Sequence, residues 1–223
     1  MKPYLPAIFA LIVAALSQGV RAEISEPDPI TVNLPEFGKA EVAIMIVPAS
    51  RPQVAVSQSQ RTVLSFEMGE AGPPDLESAM QPKGQIAVRA FDGLPFPAIV
   101  VHIRSYYGTG YLDHIALIAE IHGNLKLLHE PWQAHNLGGI YVGPLSDVSA
   151  SGVAEWNFEW ADCHACPNPY KIVTYKWNAK SLQFEKEGVT ERTEKRYDDP
   201  NQAIHERHPT YSNFIDKLPA FNE

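Results

Sequence analysis

The chain has 223 residues, 45% of them hydrophobic and 20% charged, with a formal net charge of −8, 19 prolines and two cysteines. That length supports one domain with a real core, or two small ones. Its Lys and Arg are not grouped, so the clustered cations that neutralise a phosphate backbone are missing; this excludes nucleic acid as a natural partner, while the acidic balance would steer a basic one.

Residues 1–22 have the layout of a secretory signal peptide. Lys2 is the positive start, residues 7–16 are an uncharged apolar run, and Val20-Arg21-Ala22 ends in the small residues a signal peptidase reads. The run is too short to cross a bilayer, which needs about 20 residues. The expectation is cleavage after Ala22 and a periplasmic or secreted chain with no transmembrane segment left. No cysteine lies near the cut to carry a lipid.

Residues 23–84 read as an extended, Pro-rich N-terminal segment with strand-like pieces at 30–34, 41–47 and 62–68. A stretch rich in Gly, Pro and acid, 69–83, reads as a linker. A β domain is expected over 85–197. Its strands are predicted at 85–90, 98–104, 125–129, 139–143, 153–160, 170–177 and 182–186. Residues 106–110 read as a turn. Residues 114–121 suit helix or strand on composition, and the turn His122-Gly123-Asn124 favours a hairpin. In 153–160, Trp156, Phe158 and Trp160 share one face, and Glu155, Asn157 and Glu159 the other. From residue 198 the tail is polar, with one short helix near 211–218. The fold class that follows is mainly β, an antiparallel propeller-like or sandwich domain with an extended N-terminal segment. A period near 40 residues is only hinted at.

Asp147, Ser149, Ser151 and Glu155 fall at positions one, three, five and nine of a segment with Gly152 at six, the spacing of a calcium loop. Two of the four are hydroxyls, which are weak donors for a hard cation. The competing reading is a plain turn in which Ser and Asp bond their own backbone. Residues 145–156 resemble the acidic loop of FG-GAP/integrin-type β-propeller repeats. Residues 163–184 resemble a hairpin that closes bacterial secreted domains of this kind, some of them lysozyme inhibitors or immunity proteins. The resemblance implies a propeller-like or sandwich β domain, Asp147 as the best calcium ligand, and binding rather than catalysis.

Cys163 and Cys166 are close enough to pair in an oxidising compartment. An aromatic strand running into Cys-x-x-Cys is also the thioredoxin pattern. Against that, Pro167, Asn168 and Pro169 follow the second Cys where a helix should begin, and a β-rich run comes next. A c-type haem is excluded because Pro167, not His, follows the second Cys. Eight histidines (102, 114, 122, 129, 135, 164, 205 and 208) are scattered, and only His205 and His208 are close in sequence. Tyr106, Tyr107, Tyr111, Trp132 and Tyr141 lie among glycines and suit either partner contact or core packing. The expected function is recognition of a protein or glycan in the cell envelope, most concretely inhibition of a cell-wall hydrolase. The alternatives are a periplasmic thiol-disulfide oxidoreductase using Cys163 and Cys166, and a secreted hydrolase with a carboxylate pair.

Overall fold

The structure, a computed structural model, describes residues 29–34, 36–45, 51–68, 83–92, 94–107, 110–135, 137–145, 151–159, 166–187 and 190–218, the side chains of Tyr107 and His135 excepted. The predicted signal peptide, most of the linker, Asp147, Ser149 and Cys163 lie outside the described residues.

Three antiparallel sheets account for most of the described chain, and none closes into a barrel. The N-terminal sheet runs β1 (Ile30–Leu34), β2 (Gly38–Met45), β3 (Gln53–Gln58), β4 (Arg61–Glu67) in chain order. Its strands alternate, as a sheet covered on one face must. Ala40, Val42 and Ile44 are buried while Lys39 and Glu41 are exposed. The segment expected as an N-terminal extension is therefore, over its described strands, a four-stranded sheet with a packed face.

The central sheet runs β5 (Lys83–Arg89), β6 (Ala98–Tyr107), β7 (Gly110–Ile121), β8 (Asn124–Leu127), with β9 (Trp132–His135) added to β7. Here alternation disappears, because both faces are covered. Ile99, Val101, Ile103, Ala116 and Ile118 pack against Val32, Val42, Ile44, Val54 and Val56 of the N-terminal sheet. Ala98, Val100, Ile115, Leu117 and Ala119 pack on the opposite side against Ile140, Val153 and Phe184. That is why residues 114–121 are apolar nearly throughout and ambiguous on composition. The turn resolves the ambiguity: His122 and Gly123, at φ of 52° and 70°, make the left-handed two-residue link that a hairpin's twist prefers. The β3–β4 hairpin turns the same way at Ser59 and Gln60, without glycine. The turn expected at 106–110 is shorter than predicted. β6 carries on through Tyr107 and β7 starts at Gly110, so Tyr106 and Tyr111 are paired strand residues.

The C-terminal sheet runs β10 (Gly139–Pro144), β11 (Ser151–Phe158), β12 (Tyr170–Asn178), β13 (Gln183–Lys186), with β14 (Glu191–Arg192) added to β12. Its outer face carries Trp156, Tyr170 and Ile172, covered by Ala203 and Ile204 of α1 (Pro200–His205) and by Tyr197 and Tyr211. Asp199 caps α1 by accepting from the Asn201 N–H at 2.8 Å, with Pro200 in the first turn. Near 211–218, where one short helix is expected, the chain makes only a 3-10 turn at Ile215–Lys217; the α-helix lies earlier, at α1.

The central and C-terminal sheets share one plan. The long third strand (β7, β12) gives one half to its hairpin partner (β8, β13) and the other half to a later short strand (β9, β14). First strands of successive sheets start 53 and 56 residues apart, a longer period than the one hinted at by sequence.

Candidate binding site

Alternation along β5, β6 and β7 sends Gln85, His102, Arg104, Tyr106, Tyr111 and Asp113 to the same side of the central sheet, where Arg104 pairs with Asp113 in register and Tyr106 with Tyr111. Asp113 and His102 are each only 2% exposed. A carboxylate so buried needs donors around it, and it has three. His102 Nε2 lies 2.7 Å from Oδ1, Arg104 Nε donates to Oδ1 at 2.7 Å, and Arg104 Nη2 donates to Oδ2 at 2.9 Å. Burial pushes the Asp113 carboxyl up, but the hydrogen bonds from His102 and Arg104 outweigh it and hold the group below its ordinary value. Burial likewise opposes the charge on Arg104, but the hydrogen bond to Asp113 together with the attraction of its charge prevails, raising it.

The guanidinium held in this way lies over the ring of Tyr111, its carbon 3.9 Å from the centroid. Tyr106 meets Tyr111 edge to face at 6.2 Å. Burial raises the Tyr111 phenol, so it stays neutral at physiological pH. The result is a half-buried Arg–Tyr–Tyr platform at the β6–β7 hairpin end, seated on a buried ion pair. Arg and Tyr are the residue types that dominate contact energy at interfaces. The His–Asp pair is a poor catalytic dyad, because Gln85 Nε2 sits 2.8 Å from His102 Nδ1 while Nε2 faces Asp113. Both ring nitrogens are engaged inside the sheet.

The five aromatics predicted as a contact set are split. Tyr106 and Tyr111 come together on the platform; Tyr107 lies beside them on β6 and pairs with Gly110, its side chain outside the described ones. Trp132 and Tyr141 belong to the core instead. Trp132 is 2% exposed, stacked on His129 at 4.8 Å and met edge-on by Tyr175 and Phe184. Tyr141 is stacked on Tyr211 at 4.3 Å, and its hydroxyl donates to the Pro144 carbonyl.

Of the four residues with calcium spacing, only Ser151 and Glu155 are described, and these two cannot share one ion. Ser151 and Glu155 lie four residues apart on β11, which pairs regularly with β10 and β12. An extended strand puts their Cα atoms roughly 13 Å apart, beyond what one ion spans. Ser151 Oγ donates to the Asp92 carbonyl at 3.3 Å. Glu155 is half-buried on the face toward the central sheet, and burial raises its carboxyl to about 7 against the pull of Lys171 and Lys186. Among the described residues no group of three or more acidic, His or Cys side chains is placed to hold a metal. His205 is exposed, whereas His208 is buried against Tyr211, so the pair does not converge.

Of the cysteine pair only Cys166 is described, and the Cys166 carbonyl accepts from Asn168 Nδ2 at 2.7 Å. After Cys166 the chain bridges to Tyr197 through Asn168 and enters β12, with no helix among the described residues between Cys166 and β12. Sequence reasoning passed over Gln85, His102, Arg104 and Asp113 as a group. The available signal was His102 and Arg104 at alternate positions of one apolar strand and Asp113 within another. No helix among the described residues is long and apolar enough to cross a membrane. No family model, curated protein or solved structure matches the chain.

Proposed function

We propose that the chain is an exported, non-catalytic binding protein that recognises a protein or glycan of the cell envelope through the Tyr106–Tyr111 end of the central sheet. The observation that carries this reading is the Arg104 fork, clamped on buried Asp113 and laid on Tyr111. Ordering an arginine before the partner arrives removes part of the entropy that binding otherwise costs. The signal-like residues 1–22 support export. Inhibition of a cell-wall hydrolase is the concrete form suggested by the resemblance of residues 145–184. The finer architecture we assign is blade-like, since each of the three antiparallel sheets contains a four-stranded up-and-down path, and four-stranded sheets are the repeat from which propellers are built.

The test compares the purified chain with its Tyr106→Ala/Tyr111→Ala variant, using Lys180→Ala as a distant surface control. Each is used to capture partners from an envelope extract and to slow a muramidase acting on isolated cell wall. The expected result is a partner or an inhibition present with the parent chain and the control, and lost with the double variant. Equal behaviour of all three sinks the reading.

A further inference from the structure

We propose that His102 is a positioning residue for this binding face: it fixes the plane of the Asp113 carboxylate, and through it the place of Arg104 on the Tyr111 ring. The proposal rests on reading the Tyr106–Tyr111 end as the binding face. The contacts form one line across three strands, from Gln85 on β5 through His102 on β6 to Asp113 on β7, then back to Arg104 on β6 and over to Tyr111.

Arg104 alone would not secure itself. Its side chain is 21% exposed, and an arginine paired with a carboxylate free to turn behaves as an ordinary surface pair, with little energy and loose geometry. What sets this pair apart is the immobility of the carboxylate. Asp113 Oδ1 takes Arg104 Nε and His102 Nε2, both at 2.7 Å, and these two donors come from the same strand. With His102 in place, turning the carboxylate breaks a bond on either side. Without it, Asp113 keeps only the arginine fork and both can swing together.

Gln85 and the Asp113 carboxylate agree on where the hydrogen that does this sits. With the Gln85 amide nitrogen donating to Nδ1, the imidazole carries its hydrogen on Nε2, facing Asp113. This is the arrangement by which an outer partner orients a ligating histidine, used here on a carboxylate. An apolar residue at 102 would fill the same space in the sheet and provide none of it.

The test is NMR of the purified chain labelled with nitrogen-15, reading exchange of the Arg104 Nε–H, which is assigned by its loss in Arg104→Lys. The parent chain is expected to show a slowly exchanging signal and one His102 tautomer, hydrogen on Nε2. In His102→Phe the exchange is expected to quicken at least about tenfold, the scale of losing one hydrogen bond to a charged group. In Gln85→Leu, which leaves every donor to Asp113 in place and the hydrogen on Nε2, the imidazole loses its outer anchor, and a smaller gain in exchange is expected. If His102→Phe does not fold, Gln85→Leu decides alone. Unchanged exchange there overturns the proposal, as does unchanged exchange in a folded His102→Phe. These signals need no partner, so their failure is distinct from failure of the capture experiment.

Discussion

Arg104 covers one face of Tyr111 at 3.9 Å while Asp113, two residues further along β7, binds the same guanidinium through two of its nitrogens. A surface aromatic is thereby tied to a buried charge, and the two ends respond differently to substitution.

Asp113→Asn is expected to destabilise the chain by about 3 kcal/mol, because removing one member of a buried pair leaves the other charge uncompensated. For a chain of this size that is roughly 6–12 °C in Tm. There is a pH signature as well. The folded carboxyl titrates below its ordinary value, so its stabilisation is complete above the unfolded value and is lost as pH falls through the lower, folded one. Thermal unfolding followed from pH 7 down to the acid limit should be steeper for the parent chain than for Asp113→Asn; parallel curves would contradict the pair's assigned role.

Trp132→Ala and Tyr106→Ala should separate core from surface. Trp132 is enclosed by His129, Tyr175 and Phe184, and its truncation is expected to cost about 3–5 kcal/mol. Tyr106 is half-buried, so its truncation should cost about 1 kcal/mol or less in stability while reducing partner capture. Denaturant titrations of both variants check this; a larger loss for Tyr106→Ala reverses the assignment.

Glu155 gives a pH dependence of opposite sign. Its folded value, about 7, lies above the ordinary 4.5, so between these values the folded chain holds the extra proton. Its contribution is complete below about 4.5 and disappears as pH rises through about 7. Glu155→Gln should flatten that slope and exceed the parent chain in stability at pH 8 by about 1–2 kcal/mol, a figure reduced from the full shift because the side chain is partly exposed. Urea midpoints at pH 5 and pH 8 measure it, and identical pH slopes for both proteins would rule it out.

Gly139 pairs with Trp156 across β10 and β11, and a Cβ there would fall within contact of the indole ring and 3.0 Å from the Asn213 side-chain carbon. The ring is fully buried and cannot swing away. Gly139→Ala is expected to cost about 1–3 kcal/mol through overpacking, read as a drop in Tm; no change would mean the sheet relaxes there freely.

Much of the β pattern was legible locally. Residues 30–34, 98–104, 139–143 and 170–177 announce strands through β-branched and aromatic runs, and His122-Gly123 announces its hairpin. Strands with weak local signals were missed. β3 is followed by Ser59-Gln60, which turns the chain without glycine, and β9 and β14 are short segments that exist because β7 and β12 offer free edges. The candidate site was half legible. Tyr106 and Tyr111 stood out as aromatics near glycine, but Trp132 and Tyr141 carried the same signal and went into the core. Burial of an aromatic depends on which sheet arrives over it, and composition does not record that.

The amino-acid order by itself determined that this chain builds antiparallel strands, where several of them turn, and that its first 22 residues look like an export signal, because these are short-range effects of side-chain shape, charge and backbone freedom. Only the tertiary structure decided that β6 and β7 are covered on both faces, that Glu155 lies too far from Ser151 to share an ion, and that Gln85, His102, Asp113, Arg104 and Tyr111 form one connected line. The reason is physical: strand register aligns residues 9 to 17 positions apart in the chain within hydrogen-bond distance, and register is set by what each sheet packs against.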